Sequence, residues 1–390
     1  MKKGGIVMKV MTIFGTRPEG IKMAPLVKAL KKEEGIECVF VNTAQHREML
    51  DQVLTLFEIT PDYDLNMMQA GQKVEELTGK MFSKLSAIIE MEKPDLVLVH
   101  GDTTTTFVGA YSAFLKKVPV GHVEAGLRTN NVYSPFPEEM NRQMVGRLAS
   151  YHFAATQRNK DNLLMENIEE DAIHVVGNTV IDALLEVASK PYRFYGELGG
   201  IFSANLKTIL LTTHRRENFD ELQNIYEAVN QLIDDYKDIQ VVFPIHKNPE
   251  IRQKVNKAFR NSSRVHLIEP LDYESFVHVM KQSYLIITDS GGIQEEAPSL
   301  GKPVLVARHT TERPEGVEAG TLKLVGTSAQ TIYEECRKLI LNPVEYKKMG
   351  AIRNPFGEGN SSDKIIEIIK SSLMAERPSF ARLQQQAAGK

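Results

Sequence analysis

From Lys9 onward, an apolar run, a loop and a segment of helical periodicity follow one another along almost the whole chain, and this alternation limits the possible folds more than any other feature. VMTIF is followed by PLVKALKK, and CVFVN by a helix holding Met49, Leu50, Val53, Leu54 and Phe57 at helical spacing. DLVLVHG, a Thr-rich helix start, VPVGHVE, a helix near Glu138 to Leu148 and YHFAAT continue the series. After a polar, Gly-containing stretch near Lys190 to Ser203 it resumes with TILLTTH, a helix to Tyr236, IQVVFPIH, RVHLIEP, YLIITDSGG and PVLVA. Strands that read as continuous apolar runs belong to parallel sheets covered by helices on both faces. The expected class is therefore α/β, with two Rossmann-like doubly wound domains at about 8–178 and 179–361. With 390 residues, 42% of them hydrophobic, the chain is long enough for both cores. Helical periodicity returns from about Ser362 to Met374, and residues 376–390 read as a frayed tail.

Open parallel sheets bind ligands beyond the carboxyl ends of their strands, so two such domains are expected to face a cleft lined by those loops. A formal charge of −3 gives no overall field that would favour nucleic acid or an anionic membrane, and basic residues must act locally. Cys38 and Cys336 are the only cysteines, with no metal-binding spacing and no disulfide framework, which fits a reducing cytoplasm. MKKGGIV lacks the long apolar core of a targeting or membrane segment, and Met8 reads as an alternative start.

Nearly every polar cluster follows directly on a strand. In FGTRPEGIK, Arg17 and Lys22 flank a proline suited to a helix start, and Gly15 permits a tight turn, so the loop can hold an anion or simply be solvated. It is neither a dinucleotide G-x-G-x-x-G fingerprint nor a P-loop, which argues against an NAD enzyme or a simple NTPase. In TDSGGIQEEAPSLGKP, Ser290, Gly291 and Gly292 let a diphosphate approach the N–H groups of a helix start. Glu296, one turn in, is placed to accept bonds from ribose hydroxyls or to be a plain helix-surface carboxylate.

The sharpest set is acidic. Asp102 ends a strand in VHGDTTTT, Glu124 ends another in GHVEAGLR, and Glu138 opens a helix in SPFPEEMNR. Carboxylates crowded at one sheet edge repel, and their proton affinities separate, which suits an acid and a base working together. Taken singly, Asp102 serves equally as a helix cap and Glu138 as a complement to its own helix dipole. THRRENF adds His214, Arg215 and Arg216 at another strand end, and RHTTERPEG adds Arg308 and Arg313, whose planar forks suit a diphosphate or a solvated surface. The histidines are scattered, without an H-x-x-x-H pair, and no metal is expected.

The ordered strings FGTRPE-x-IK, TAQHREML, VHGDTTTT, GHVEAGLRT, YSPFPEE-x-NR, GNTVIDAL, THRREN, TDSGGIQEEAPSLGKPVLV and TTERPE resemble those of the non-hydrolysing UDP-N-acetylglucosamine 2-epimerases of bacteria, from about Met8 to about Ile369. The resemblance implies the two-Rossmann-domain architecture of the B-type glycosyltransferases, with the C-terminal helix, about 362–375, packing back on the first domain. It implies reversible inversion at carbon 2 of UDP-N-acetylglucosamine to UDP-N-acetylmannosamine for cell-surface polysaccharide synthesis. It further implies that no cofactor is used, UDP being eliminated to leave a 2-acetamidoglucal and then added back.

By the same resemblance Arg17, His214, Ser290, Gly291, Gly292 and Arg313 hold the diphosphate, and Glu296 the ribose. Lys22 and Phe276 lie in the nucleotide half. Asp102, Glu124 and Glu138 carry proton transfers, with His214 counted among the catalytic groups and Arg142 orienting a carboxylate. Members are typically homodimers, and some are activated by a second UDP-N-acetylglucosamine, at positions that match Gln45, His46, Gln72, Arg215 and His246. Two departures stand out: Gly71 where some regulated members carry a basic residue, and His309 after Arg308 where the common pattern has Asp. A B-type glycosyltransferase, a hydrolysing epimerase, an epimerase for a related UDP-diacetamido or uronic sugar, and a nonenzymatic UDP-sugar sensor are the alternative readings.

Overall fold

In the computed structural model, every apolar run singled out above is a parallel β-strand. The structure describes residues 8–45, 47–68, 71, 73–213, 221–245, 248–259 and 262–372. Two units divide these residues, one made of residues up to Ala183 and again from Gly357 on, the other of Leu184–Phe356.

The first unit holds a seven-stranded sheet: β1 (Met8–Phe14), β2 (Ile36–Asn42), β3 (Tyr63–Asp64), β4 (Leu96–His100), β5 (Val120–Ala125), β6 (Tyr151–Ala154) and β7 (Ile173–Val175), in the order β3-β2-β1-β4-β5-β6-β7. β1 and β4 pair in parallel from Val10 opposite Leu96 to Ile13 opposite Val99. Strand order reverses there, so the loops after β1 and β4 flank the crevice where such sheets take ligands. FGTRPE follows β1 and GDTTTT follows β4. All five residues of β4 are buried, each apolar side chain contributing roughly 1.5–3 kcal/mol, which holds the strand ends in place. Phe14 and Phe40 stack with centroids 4.2 Å apart between β1 and β2.

The second unit repeats the topology with β8 (Lys207–Thr212), β9 (Ile239–Pro244), β10 (Val265–Ile268), β11 (Leu285–Thr288), β12 (Val304–Val306) and β13 (Leu322–Leu324), ordered β10-β9-β8-β11-β12-β13. Its helix Leu222–Asp235 buries Leu222, Ile225, Tyr226, Val229, Leu232 and Ile233, a stripe at helical spacing. The loop after β11, which contains DSGG, lies at the equivalent reversal.

Several details differ from the expectation. β3, β7 and β13 are two- or three-residue edge strands, too short to leave a periodic signal. The helix after β2 is Arg47–Leu56, with Phe57 just beyond it and Met49 on its exposed face. The polar stretch near Lys190 to Ser203 contains a short helix, Gly196–Ser203. Near its end the described chain forms a helix over residues 361–372 within the first unit. Its first turn is held by Asp182, whose carboxylate accepts Ser361 N–H at 3.2 Å and Ser362 N–H at 2.7 Å, and Lys370 pairs with Glu33.

Candidate active site

The acidic residues do converge. Asp102, Glu124 and Glu138 line one cavity of about 430 Å³ in the first unit, together with Lys22, His100 and Gln45. Each arrives for a local reason.

Asp102 sits one residue beyond Gly101, whose φ of +68° suits glycine. The buried ring of His122 fixes that turn, its Nε2 lying 2.7 Å from the Gly101 carbonyl. Asp102 is not the cap of the helix that follows: the N-cap of Thr104–Leu115 is Thr103, which accepts Thr106 N–H at 3.2 Å. The Asp102 carboxylate instead receives Arg142 Nη2 at 2.6 Å, and its carbonyl receives Asn141 Nδ2 at 2.9 Å. Burial raises its pKa; the Arg142 guanidinium opposes the rise and the Glu124 carboxylate adds to it.

Glu124 lies in β5 where the register to β6 shifts between Val123 and Ala125, and its φ is +61°. A bulge of this kind re-aims a side chain, and a left-handed glutamate is strained backbone of the sort found at working sites. Its Oε2 receives Lys22 Nζ at 2.5 Å and Asn178 Nδ2 at 2.9 Å. The structure thus places Lys22, assigned by resemblance to the nucleotide half, on a carboxylate of the acidic set. His100 Nε2 is 3.7 Å from the same oxygen, and burial pushes the His100 imidazole down to about 4, so it is neutral near pH 7. Glu138 opens the helix Glu138–Leu148, as the sequence predicted.

Two buried carboxylates frame this cavity and were missed by sequence reasoning. Glu19 closes a capping box with Thr16 at the start of the helix Arg17–Lys32. Its Oε2 accepts Gly15 N–H at 3.0 Å and Thr16 N–H at 2.8 Å, while Oε1 accepts the hydroxyls of Thr103 at 2.6 Å and Thr106 at 3.2 Å. One side chain therefore ties the loop after β1 to the loop after β4. The T-x-x-E spacing in GTRPEG was the available signal. Glu139 is fully buried; it accepts Thr129 N–H at 3.0 Å and Asn130 N–H at 3.1 Å and pairs with Arg142 Nη1 at 3.2 Å. Burial works to raise its pKa, but these bonds and the Arg142 charge outweigh it and leave it lowered. Arg142 thus spans two carboxylates, Glu139 and Asp102.

In the second unit Ser290 is the N-cap of the short helix Gly291–Glu296, and Ser290 N–H donates to Thr288 Oγ1 at 2.9 Å. Gln294 and Glu295, also missed, join this turn to the RHTTERPE loop. Gln294 Nε2 donates to the Ser290 carbonyl at 3.1 Å, Thr311 Oγ1 donates to Gln294 Oε1 at 2.5 Å, and Arg313 pairs with Glu295. Glu296 is buried and accepts the Tyr273 hydroxyl at 3.0 Å, so it is not a surface carboxylate. Arg308, also buried, forks onto Glu312 at 3.0 and 3.2 Å, and His309 Nε2 lies 3.2 Å from Glu221 Oε2. Phe276 is half-buried on the helix Tyr273–Gln282. Arg17 is half-buried in the first turn of its helix and is not among the residues lining the acidic cavity.

Gln45 accepts the Thr105 hydroxyl at 3.1 Å and lines the acidic cavity. His46, Gln72, His214, Arg215, Arg216 and His246 lie outside the described residues. Among the described residues, no group of three or more His, Cys, Asp or Glu side chains is placed to hold a metal ion, and no helix is long and apolar enough to cross a membrane.

The family model described as UDP-N-acetylglucosamine 2-epimerase matches residues 28–370. A UDP-N-acetylglucosamine 2-epimerase of Bacillus subtilis (strain 168) is 54% identical over 363 residues, covering 92% of this chain and 94% of the relative. The UDP-N-acetylglucosamine 2-epimerase of Escherichia coli (strain K12) is 51% identical over 375 residues, covering 94% of this chain and 100% of the relative. Among solved structures, the UDP-GlcNAc 2-epimerase from Neisseria meningitidis bound to UDP-GlcNAc superposes with a TM-score of 0.83 at 50% identity, covering 94% of this chain and 100% of that one.

Proposed function

The chain belongs to the UDP-N-acetylglucosamine 2-epimerase family, and from that premise we propose that it inverts carbon 2 of UDP-N-acetylglucosamine by eliminating UDP and adding it back. The activity itself, that of an isomerase of the non-hydrolysing type, follows from relatives near 50% identity over more than nine-tenths of the chain. The observation that supports the chemistry is the cavity that gathers Asp102, Glu124 and Glu138 around Lys22.

The C2 hydrogen of the sugar has no adjacent ring carbonyl to acidify it. Elimination avoids the difficulty: a carboxylate takes the C2 proton, a C1–C2 double bond forms, and the C1–O bond breaks with its electron pair leaving on UDP. A proton then returns to C2 from the other face while UDP re-forms the bond at C1. Such a sequence needs both an ionised and a protonated acid near neutral pH. Asp102, whose proton affinity burial raises and Arg142 restrains, is a candidate for one of these two roles. A positioned acid or base contributes about 10²–10⁴-fold, so loss of either should cut turnover by about that factor and leave the fold intact.

In the second unit Ser290, Gly291, Gly292 and Arg313 are assigned to the diphosphate and Glu296 to the ribose; Arg17 and His214 share the diphosphate role by resemblance. The helix start and the SGG turn support that reading, since small residues there let an anion approach the backbone N–H groups. Arg313 would exchange Glu295 for phosphate oxygens. A homodimer, activation by a second UDP-N-acetylglucosamine in the neighbourhood of Gln45, a cytoplasmic setting and supply of a surface polysaccharide complete the proposal. Exposed Tyr111, Phe114 and Leu115 near one another on the helix Thr104–Leu115 support self-association.

Proton NMR in deuterated water with UDP-N-acetylglucosamine is the test. Deuterium entering C2 as both epimers reach equilibrium is expected. Free N-acetylmannosamine with UDP would establish hydrolysis instead, and binding without exchange would sink the elimination scheme.

A further inference from the structure

The string GNTVIDAL precedes and enters the helix Thr179–Ser189, and none of the roles above uses its asparagine. Asn178 is nonetheless 2% exposed and bonds to Glu124, which lines the acidic cavity. Its Oδ1 accepts Val180 N–H at 3.0 Å, a local turn that starts the helix and settles which way the amide faces. With the oxygen engaged there, Nδ2 points to Glu124 and donates to Oε2 at 2.9 Å. The segment is packed from behind by glycine backbone: a Cβ on Gly357 would lie 3.4 Å from Gly177 Cα and 3.5 Å from Asn178 N.

We propose that Asn178 is a positioning residue for the epimerisation, holding the Glu124 carboxylate jointly with Lys22 in the plane from which it exchanges the substrate proton. The proposal rests on the reading that Glu124 carries a proton transfer. Glu124 needs such a holder more than its neighbours do. Its backbone is in the left-handed region at a bulge, so the strand alone does not set the direction of a side chain with three rotatable bonds. Lys22 brings charge on a long, flexible stem, whereas the amide is fixed by its own helix start and brings direction. A misplacement of about 1 Å at a reacting group can cost on the order of 10²-fold in rate.

The test separates the structural work of Asn178 from its positioning work. In Asn178→Asp, one oxygen still accepts Val180 N–H, and the other presents a like charge to Glu124 in place of a donor. In Asn178→Ser the hydroxyl still caps Val180 but is too short to reach Glu124. We expect kcat to fall about 10- to 100-fold in both variants with KM for UDP-N-acetylglucosamine changed less than about threefold. Only Asn178→Asp should also move the acid limb of the pH–rate profile to higher pH, because like-charge repulsion favours protonation. Thermal unfolding is followed alongside, and if Asn178→Asp fails to fold, the serine variant carries the kcat-against-KM test.

Glu124→Gln keeps the two readings apart. Should Glu124→Gln turn over normally, the proton-transfer role of Glu124 is wrong. Should Glu124→Gln be inactive while both Asn178 variants keep wild-type kcat and an unshifted profile, the positioning role alone is overturned. In residual C2 hydrogen exchange, Asn178→Asp added to Glu124→Gln should cost less than about twofold further.

Discussion

Removing the Glu19 carboxylate should destabilise the first unit by about 3–5 kcal/mol, most of it from two backbone groups. In Glu19→Ala the Gly15 and Thr16 N–H groups, both buried, lose the acceptor that lies at 3.0 and 2.8 Å. A buried donor left unsatisfied costs about 1–3 kcal/mol. The Thr16 bond is also the half of the capping box that Glu19 supplies, so it enters the sum once. The two hydroxyls lose less, because Thr103 and Thr106 already lie 3.0 Å from each other and Thr106 Oγ1 also reaches the His100 carbonyl at 2.5 Å. Glu19→Gln behaves differently. An amide of the same shape can give its oxygen to the two N–H groups and its NH₂ to the two hydroxyls, so only the charge assistance goes, about 1 kcal/mol. Urea unfolding followed by far-UV circular dichroism, with calorimetry as a second probe, measures both variants. At about 2–4 °C per kcal/mol for a unit of this size, Glu19→Ala should lose on the order of 10 °C and Glu19→Gln only a few degrees. Because Glu19 joins the loops after β1 and β4, kcat should follow the same order. An alanine variant within 1 kcal/mol of wild type, or a glutamine variant as damaged as the alanine one, would refute this account of the carboxylate.

Buried histidines should make the first unit acid-labile. Burial depresses His100 and His152 to about 4 and His122 to about 3, so between pH 6.5 and about 4 the unfolded chain binds more protons than the folded one, and stability falls as pH falls. One such histidine costs up to about 2 kcal/mol between pH 6.5 and 5, and His152→Gln should flatten the stability–pH curve there by about that amount; an unchanged slope would count against it. Asp182→Ala should release the helix at residues 361–372, whose Ser361 and Ser362 N–H groups it accepts, at about 1–2 kcal/mol. Limited proteolysis is expected to cut near residue 360 faster in that variant, and equal cutting rates would contradict the assignment.

The central strands were legible because parallel strands buried on both faces must be apolar throughout: LVLVH and TILLT announce themselves without any partner. Edge strands such as β7 gave no such signal. The acidic set was legible for a related reason, since polar residues that end an apolar run have a carboxyl-edge loop as their natural place. What each residue touches there was not. Lys22 and Glu124 are 102 positions apart, and no local pattern shows that their side chains meet. Nor does anything in GHVEAGLR reveal a left-handed glutamate at a bulge, because that conformation is imposed by the register of β5 against β6. Glu139 looked like the redundant neighbour of Glu138, and only burial separates their roles. Thr16 and Glu19 are the opposite case, a readable capping box whose second duty to Thr103 and Thr106 depends on the β1–β4 pairing.

The first unit is interrupted in sequence, and this bears on how the protein is made. Asp182 is synthesised long before Ser362, the partner 180 positions later. At roughly 5–20 residues per second, translation of that interval lasts about 10–40 seconds. Throughout it, the acidic cavity can already be assembled on the ribosome, since its lining residues run from Thr16 to Asn141. The sheet beside it still lacks its last helix. A nascent chain therefore acquires its reactive groups early and the clasp over their scaffold only after the whole second unit has been made, and any pause in that interval prolongs the time for which apolar surface around Asp182 is open to chaperones.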